Sequence, residues 1–245
     1  MQTISSPWQL DGLQPYETAE SSNASAAWWP SHVTHNPHHI PSATPLPTVA
    51  VQGKRILVMG SGSGTNFEAL TRALQPFGVE VAGVFCNRPK AYIIERAKNL
   101  GVPATVPSEE QRTSKKTLND AVLEFLAQPF DLLLLAGYMR ILPPRVVEPY
   151  LGKIINIHPS ILPNFPGLHA IQQAWDAEAQ TTGITVHWVD QGMDTGPIIA
   201  QASLPIDRNE PLESLEQRVH ALEHYLYPWT VLQVLSQQTA EGETR

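Results

Sequence analysis

A run of four leucines, Leu132 to Leu135, follows Asp131 and restricts the fold more than any other feature of the sequence. A strand that is solvated on one face alternates apolar and polar residues, whereas this run has no polar position. A continuous apolar run is typical of a strand that is covered on both faces. We therefore expect the segment from Asp131 to Leu135 to form the centre of a parallel sheet.

The sequence on both sides of this run favours the same arrangement. From residue 54 onward, short segments rich in Val, Ile and Leu alternate with segments of helical periodicity, as in parallel strands joined by crossover helices. The predicted strands are residues 55–59, 79–85, 131–135, 153–157, 182–190 and 198–204. The predicted helices are one after residue 66, residues 91–100, one capped by Ser114, residues 168–180 and a long one from Leu212. The predicted fold class is α/β: a single Rossmann-like domain with a mostly parallel central sheet flanked by helices.

Pro228 lies inside the last predicted helix. Proline removes a backbone donor and clashes with the preceding turn of a helix. We therefore expect a kink or an interruption of the helix at this residue.

The first fifty residues differ in composition from the rest of the chain. They contain no Lys or Arg, seven Pro and many Ser and Thr, and they offer no periodic apolar face. We predict that residues 1–50 form a disordered, low-complexity extension and that residues 51–245 form the folded domain.

Charge and composition exclude several classes of protein. The formal net charge is -7, and the longest basic cluster is the pair Lys115 and Lys116, so the chain lacks the positive field that nucleic-acid binding requires. The single cysteine, Cys86, excludes a disulfide within the chain. No apolar run approaches the roughly twenty residues of a membrane helix. We expect a cytoplasmic protein with no nucleic-acid or membrane partner, and we find no convincing set of metal ligands.

A glycine-rich segment, Gly60 to Asn66, connects the first predicted strand to a helix. The amides at the N-terminus of that helix can bind an anion, and Thr65 and Asn66 can add side-chain donors. A nucleoside triphosphate or a dinucleotide is disfavoured as the ligand, because the segment has no Walker lysine and no acidic residue follows about twenty positions later at a strand end. The segment predicts a phosphate site, with a purely structural turn as the alternative.

Asn156 and His158 lie at the carboxyl end of the predicted strand 153–157. Ligands bind at this end of the strands in open parallel sheets, and residues two apart on a strand point to the same side. A long loop with three prolines and a glycine follows, as a preorganised site requires. A hydrogen-bonded core histidine is the alternative for His158, and it is the only interpretation that the sequence supports for His187.

Asp194 lies in the turn-rich segment Gly192 to Pro197, between two predicted strands. It is either an ordinary turn aspartate or the partner of the imidazole of His158. In the second case the carboxylate would favour the protonated form of the imidazole near neutral pH.

Four motifs occur together and in order: the glycine segment, Ala136 to Leu142, Asn156 to Ser160, and Met193 to Pro197. With them, residues 54–235 closely resemble the phosphoribosylglycinamide formyltransferases of de novo purine (IMP) biosynthesis. The resemblance implies transfer of a formyl group from the co-substrate 10-formyltetrahydrofolate to the amine of 5-phosphoribosylglycinamide, without a metal. We also expect a monomer or a weak homodimer.

The resemblance assigns a role to each group of site residues. It implies catalysis by Asn156, His158 and Asp194, and binding of the substrate phosphate by Gly64, Thr65 and Asn66. It implies a folate site formed by Met139, Arg140, Ile141, Leu142, Asn156 and Lys115. Glu223 matches a position near the substrate ribose.

Three alternative functions remain open at this point. Formyltetrahydrofolate hydrolase uses water in place of the amine, but it carries a regulatory domain for which residues 1–50 are too short. The site also resembles that of methionyl-tRNA formyltransferase. That family, however, is larger and has an appended C-terminal barrel. A non-catalytic sugar-phosphate binding module would need the glycine segment but neither His158 nor Asp194.

Overall fold

The computed structural model describes residues 51–243, so the prediction of a disordered extension over residues 1–50 lies outside the described residues. Within that range, a seven-stranded sheet is covered by helices on both faces. No helix among residues 51–243 combines the length and the apolar character needed to cross a bilayer.

The sheet has the strand order β3-β2-β1-β4-β5-β6-β7. Its strands are Arg55–Gly60 (β1), Glu80–Cys86 (β2), Ala104–Thr105 (β3), Leu132–Leu135 (β4), Ile154–His158 (β5), Thr181–Trp188 (β6) and Ile198–Pro205 (β7). Strands β1 to β5 pair in parallel, whereas β6 is antiparallel to both β5 and β7. The mostly parallel sheet is confirmed, and β4 lies at its centre as the leucine run predicts.

The helices are Thr65–Leu74 (α1), Ile93–Asn99 (α2), Lys115–Phe125 (α3), Pro144–Val147 (α4), Ala170–Asp176 (α5) and Leu212–Glu243 (α6). The oxygen of Ser114 accepts a hydrogen bond from the Thr117 N–H, which confirms the predicted cap of α3. Strand β3 and helix α4 are not among the elements predicted from the sequence. Elements of two and four residues are too short to show a period.

Alternate leucines of β4 enter two different hydrophobic cores. Leu132 and Leu134 pack in the core formed with α1, α2, α5 and α6, whereas Leu133 and Leu135 pack in the core formed with α3 and α4. Because successive side chains of a strand point to opposite faces, a strand between two helical layers needs apolar residues at every position. This requirement explains the leucine run.

Pro228 does not interrupt α6, which continues for 32 residues. Tyr227 and Leu232, on the two sides of the proline, are fully buried in the same core. A proline inside a helix costs about 3 kcal/mol, and burial of each large apolar side chain contributes about 1.5–3 kcal/mol. Packing of the helix on both sides of Pro228 therefore offsets the cost, and the predicted interruption is wrong.

Candidate active site

A cleft of about 990 Å³ runs along the carboxyl ends of β1, β4 and β5. Ligands bind at this edge in open α/β sheets. All the site residues predicted from the sequence line this cleft: Gly64, Thr65, Asn66, Lys115, Met139, Arg140, Ile141, Leu142, Asn156, His158, Asp194 and Glu223. The fold thus brings together residues that are distant in the sequence.

Asn156 and His158 meet Asp194 on one side of β5. The amide Nδ2 of Asn156 donates to Oδ1 of Asp194 at 3.4 Å, and Nδ1 of His158 lies 3.5 Å from Oδ2 of the same carboxylate. The turn between β6 and β7 places Asp194 there, with its backbone in the left-handed region at φ +56°. Such a conformation is uncommon for a residue other than glycine, although aspartate tolerates it better than most.

The carboxylate of Asp194 stays ionised under mildly acidic conditions. Burial raises the pKa of Asp194, but the neighbouring His187, the Gly167 N–H and the charge of His158 together hold this pKa below the ordinary value for aspartate. The Gly167 N–H donates to Oδ2 at 2.8 Å. This bond also ties the proline-rich loop to the turn that carries Asp194.

Each ring nitrogen of His158 lies beside a hydrogen-bond acceptor, which is the Phe165 carbonyl for Nε2 and the Asp194 carboxylate for Nδ1. The ring is buried, and its Nε2 lies 2.8 Å from the backbone carbonyl of Phe165. Since a carbonyl oxygen only accepts, Nε2 carries a proton. A second proton on Nδ1 would give Asp194 a charged partner, whereas a lone pair on Nδ1 would face the carboxylate. The two ring nitrogens therefore lie beside two different acceptors.

His187 belongs to this cluster, although the sequence supported only a structural role for it. Its Nδ1 donates to the carbonyl of Trp188 at 2.9 Å, and its Nε2 lies 3.1 Å from Nδ2 of Asn156 and 3.7 Å from Oδ1 of Asp194. The antiparallel register of β5 and β6 places His187 directly opposite Asn156. No motif in the sequence reports that register.

Buried polar side chains of β6 and β7 fix the loop that follows His158. The hydroxyl of Thr185 donates to the carbonyl of Ser160 at 2.7 Å and accepts from the Leu162 N–H at 3.0 Å. The amide of Gln201 donates to the Leu162 carbonyl and to the Thr185 hydroxyl, both at 2.9 Å. These side chains hold the loop whose Phe165 carbonyl contacts His158. No motif identifies Thr185 and Gln201 in the sequence, because single Thr and Gln residues within strands carry no functional signal.

We expect Thr185→Val to lower both the free energy of unfolding and kcat. Valine keeps the shape of threonine but leaves the Ser160 carbonyl and the Leu162 N–H without this buried partner, which costs about 1–3 kcal/mol. Urea denaturation measures the first effect and steady-state turnover the second. Thr181→Val, at the exposed start of the same strand, is the control. An unfolding free energy equal to that of the wild type would contradict the role of this hydroxyl.

The glycine segment begins α1 with the geometry that an anion site requires. Gly64 is the N-cap of the ten-residue helix at φ +79°, a left-handed conformation that glycine adopts without strain. A Cβ on Gly64 would lie 2.6 Å from Cγ1 and 2.9 Å from Cα of Ile93. The free amides of the first turn and the helix dipole both favour an anion here.

The side chain of Asn66 is engaged within the protein. Its Nδ2 donates to Oε2 of Glu223 at 2.8 Å, so this amide is not directed at an anion as the sequence suggested. Glu223 is 4% exposed and also accepts from Nδ1 of His220 at 3.0 Å. The donors that remain for an anion at this end of the cleft are the backbone amides and the Thr65 hydroxyl.

Residues 139–142 form the opposite part of the cleft. Met139 and Ile141 are exposed, whereas Leu142 is buried. The hydroxyl of Ser61 accepts from the Met139 N–H at 3.0 Å and donates to Oδ1 of Asn87 at 2.6 Å. The buried Ser61 therefore links the glycine segment directly to residues 139–142.

A mostly parallel sheet that carries, in one cleft at the carboxyl ends of its strands, the His–Asn–Asp cluster and the first-turn amides of α1 is the architecture of an α/β enzyme. The formyl transferase family matches residues 54–231. This chain belongs to that family.

The relatives agree with this assignment in sequence and in fold. A phosphoribosylglycinamide formyltransferase of Bacillus subtilis (strain 168) is 44% identical over 185 residues, which cover 74% of this chain and 95% of the relative. The crystal structure of glycinamide ribonucleotide transformylase 1 from Geobacillus kaustophilus has a TM-score of 0.70 and 48% identity, and the match covers 74% of this chain and 98% of that one. The phosphoribosylglycinamide formyltransferase of Bacillus halodurans has a TM-score of 0.71 and 42% identity, over 76% and 97% of the two chains. The resemblance found in the sequence and the predicted fold class are confirmed.

Proposed function

We propose that this protein transfers a formyl group from 10-formyltetrahydrofolate to the amine of 5-phosphoribosylglycinamide in de novo purine (IMP) biosynthesis. One observation carries the proposal: a single cleft contains the anion site of α1 at one part and the Asn156, His158 and Asp194 cluster at another. The similar proteins named phosphoribosylglycinamide formyltransferase and glycinamide ribonucleotide transformylase support the same reaction.

The cleft offers a distinct surface to each substrate. The amides of residues 64–66 would hold the phosphate of the amine substrate, with Glu223 near the ribose. Both observed contacts of Glu223 use Oε2, so Oε1 is the atom for the ribose hydroxyls. Residues 139–142 and Lys115 line another part of the cleft and would hold the folate.

The reaction forms one C–N bond and breaks another. The amine attacks the formyl carbon, the carbonyl electrons move to the oxygen, and the amine loses a proton. The folate nitrogen gains a proton as its bond to the carbon breaks. Asn156 and protonated His158 would donate to the negative oxygen of the intermediate, and Asp194 would keep His158 charged and move the proton through water.

Donation to the substrate requires an exchange of partners at the catalytic side chains. The Nε2–H of His158 is bound to the Phe165 carbonyl, and Nδ2 of Asn156 contacts His187 and Asp194. A nascent alkoxide is a stronger acceptor than a neutral carbonyl. We infer that the substrate oxygen replaces the Phe165 carbonyl at Nε2 as negative charge develops.

We expect Gly64→Ala to raise KM for 5-phosphoribosylglycinamide about tenfold or more, with a smaller effect on kcat. The left-handed backbone costs alanine about 1–2 kcal/mol, and the contact with Ile93 forces the segment to shift. Gly53→Ala is the matched control, because Gly53 also has a positive φ but has no atom within 4 Å of its added Cβ. An unchanged KM in the Gly64 variant would argue against phosphate binding at this loop.

A formyl-transfer assay on the purified protein separates the alternatives. Product that requires both 10-formyltetrahydrofolate and 5-phosphoribosylglycinamide supports the proposal. Folate turnover without the amine would instead identify a formyltetrahydrofolate hydrolase. Binding of the sugar phosphate without turnover would identify a non-catalytic module.

We further propose a cytoplasmic protein that acts as a monomer or a weak homodimer on small molecules. The formal net charge of -7 disfavours nucleic acid as a partner. Sedimentation across a range of protein concentrations tests the oligomeric state.

A further inference from the structure

A side-chain bridge closes the turn between β6 and β7 at its base. Oδ1 of Asp190 accepts from the hydroxyl of Thr195 at 2.8 Å and from the Gly192 N–H at 2.9 Å. The same hydroxyl lies 3.1 Å from Oδ2 of Asp190. Asp194 lies within the bridged segment and lines the cleft, whereas the exposed Thr195 does not line it. Any effect of Thr195 on the reaction therefore passes through the conformation of this turn.

Asp194 has a backbone that needs such support. Its φ of +56° lies in the left-handed region, which is less favourable than the right-handed region for every residue with a Cβ. The carboxylate reaches its partners from this conformation: it accepts from the Gly167 N–H at 2.8 Å and faces Nδ1 of His158 at 3.5 Å. A turn that relaxed to the right-handed region would move the carboxylate away from both partners.

The packing of the turn leaves room for the bridge. A Cβ on Gly192 would collide with the Thr195 hydroxyl, so glycine at this position is what allows the hydroxyl to reach Asp190. A Cβ on Gly196 would collide with the carbonyl of Trp188, at the end of β6. The two sides of the turn therefore meet closely at its base, and the bridge joins them on either side of Asp194.

We propose that Thr195 is a positioning residue for formyl transfer, because its hydroxyl, bound to Asp190, holds Asp194 in the conformation in which the carboxylate meets His158. This inference rests on the proposed function. A hydrogen bond that a hydroxyl donates to a carboxylate is roughly twice as strong as one between neutral groups. The bridge is thus suited to hold a backbone conformation that is unfavourable by itself.

Thr195→Val removes the hydroxyl and keeps the shape of the side chain. It should lower kcat about tenfold, since misplacement of a reacting group by about 1 Å can cost about 100-fold and a partial relaxation costs less. KM for 5-phosphoribosylglycinamide should remain unchanged, because the amides of α1 are untouched. Thr195→Ser keeps the hydroxyl and should retain kcat near the wild-type value. Thr113→Val is the matched control, because the Thr113 hydroxyl also forms an exposed hydrogen bond, to the Glu110 carbonyl, outside the cleft lining.

A double-mutant comparison separates positioning from a general loss of structure. Residues that act as a unit have effects that are not additive. If Thr195 acts through the carboxylate of Asp194, Thr195→Val should cost little further activity in the Asp194→Asn background. A general loosening of the protein would instead lower kcat by the same factor in both backgrounds.

An NMR titration of the Asp194 carboxyl carbon reports on the bridge without turnover. Burial raises the pKa of Asp194, but His187, the Gly167 N–H and the charge of His158 together hold this pKa below the ordinary value. These contacts lengthen if the turn relaxes. The pKa of Asp194 should therefore rise toward its ordinary value in Thr195→Val and stay at the wild-type value in Thr195→Ser.

Three kinetic results would each overturn the inference: wild-type kcat in Thr195→Val, the same fractional loss with and without the Asp194 carboxylate, or a loss in Thr195→Ser equal to that in Thr195→Val. Each of them requires measurable formyl transfer, so the proposed function would stand. An Asp194 pKa that does not change in Thr195→Val would also overturn it. Failure of the proposed function would appear differently, as no transfer to 5-phosphoribosylglycinamide by the wild type.

Discussion

His158→Ala should lower kcat at least about 100-fold while the protein remains folded. The ring is the charged donor proposed for the negative oxygen of the intermediate, and loss of one such donor typically costs 100-fold to 1000-fold in turnover. Folding should survive, because the Phe165 carbonyl keeps a second contact at 3.3 Å, from the Ser160 hydroxyl. Steady-state kinetics measures turnover, and circular dichroism with urea denaturation measures folding.

His158→Gln separates catalysis from packing, because it refills the space and keeps one neutral donor. It should remain far less active than the wild type if charge is required. His224→Ala is the histidine control, since His224 does not line the cleft. Turnover within about threefold of the wild type in a folded His158→Ala protein would refute the mechanism.

Asp194→Asn should lower kcat about 100-fold or more with little loss of structure. Asparagine keeps an oxygen that can accept from the Gly167 N–H, but it removes the charge that faces His158 at 3.5 Å. General acid–base groups contribute about 100-fold to 10,000-fold, and here the carboxylate acts on both the imidazole and the proton transfer. Asp176→Asn, an exposed carboxylate at the end of α5, is the control.

The same variant should change how stability depends on pH. Because the pKa of Asp194 is lower in the folded protein than in the unfolded chain, ionised Asp194 stabilises the fold above the unfolded value of about 3.9. This contribution is lost as the pH falls through the lowered pKa. The difference in unfolding free energy between wild type and Asp194→Asn should therefore shrink on acidification. A constant difference would show that the carboxylate is not stabilised in the folded state.

Asn156, His158 and the glycine segment fall in one cleft because their motifs lie at the carboxyl ends of parallel strands of one sheet. Asn156 and His158 are two positions apart on a strand, and Gly64 to Asn66 begin a helix directly after a strand, so their placement follows from the secondary structure. The motifs could not predict the hydrogen-bond partner of each side chain. Asn66 binds Glu223 across 157 residues of sequence, and His158 donates to a carbonyl of its own loop.

The sequence by itself determined the layers of the fold and the edge of the sheet at which chemistry occurs, because apolar periodicity and glycine or proline positions act over a few residues. The tertiary structure alone decided that His187 lies opposite Asn156, that Thr185 and Gln201 fix the catalytic loop, and that Pro228 is tolerated within α6. These outcomes depend on strand register and on packing between elements far apart in the chain. Such contacts form only when the whole core is assembled, and no local pattern encodes them.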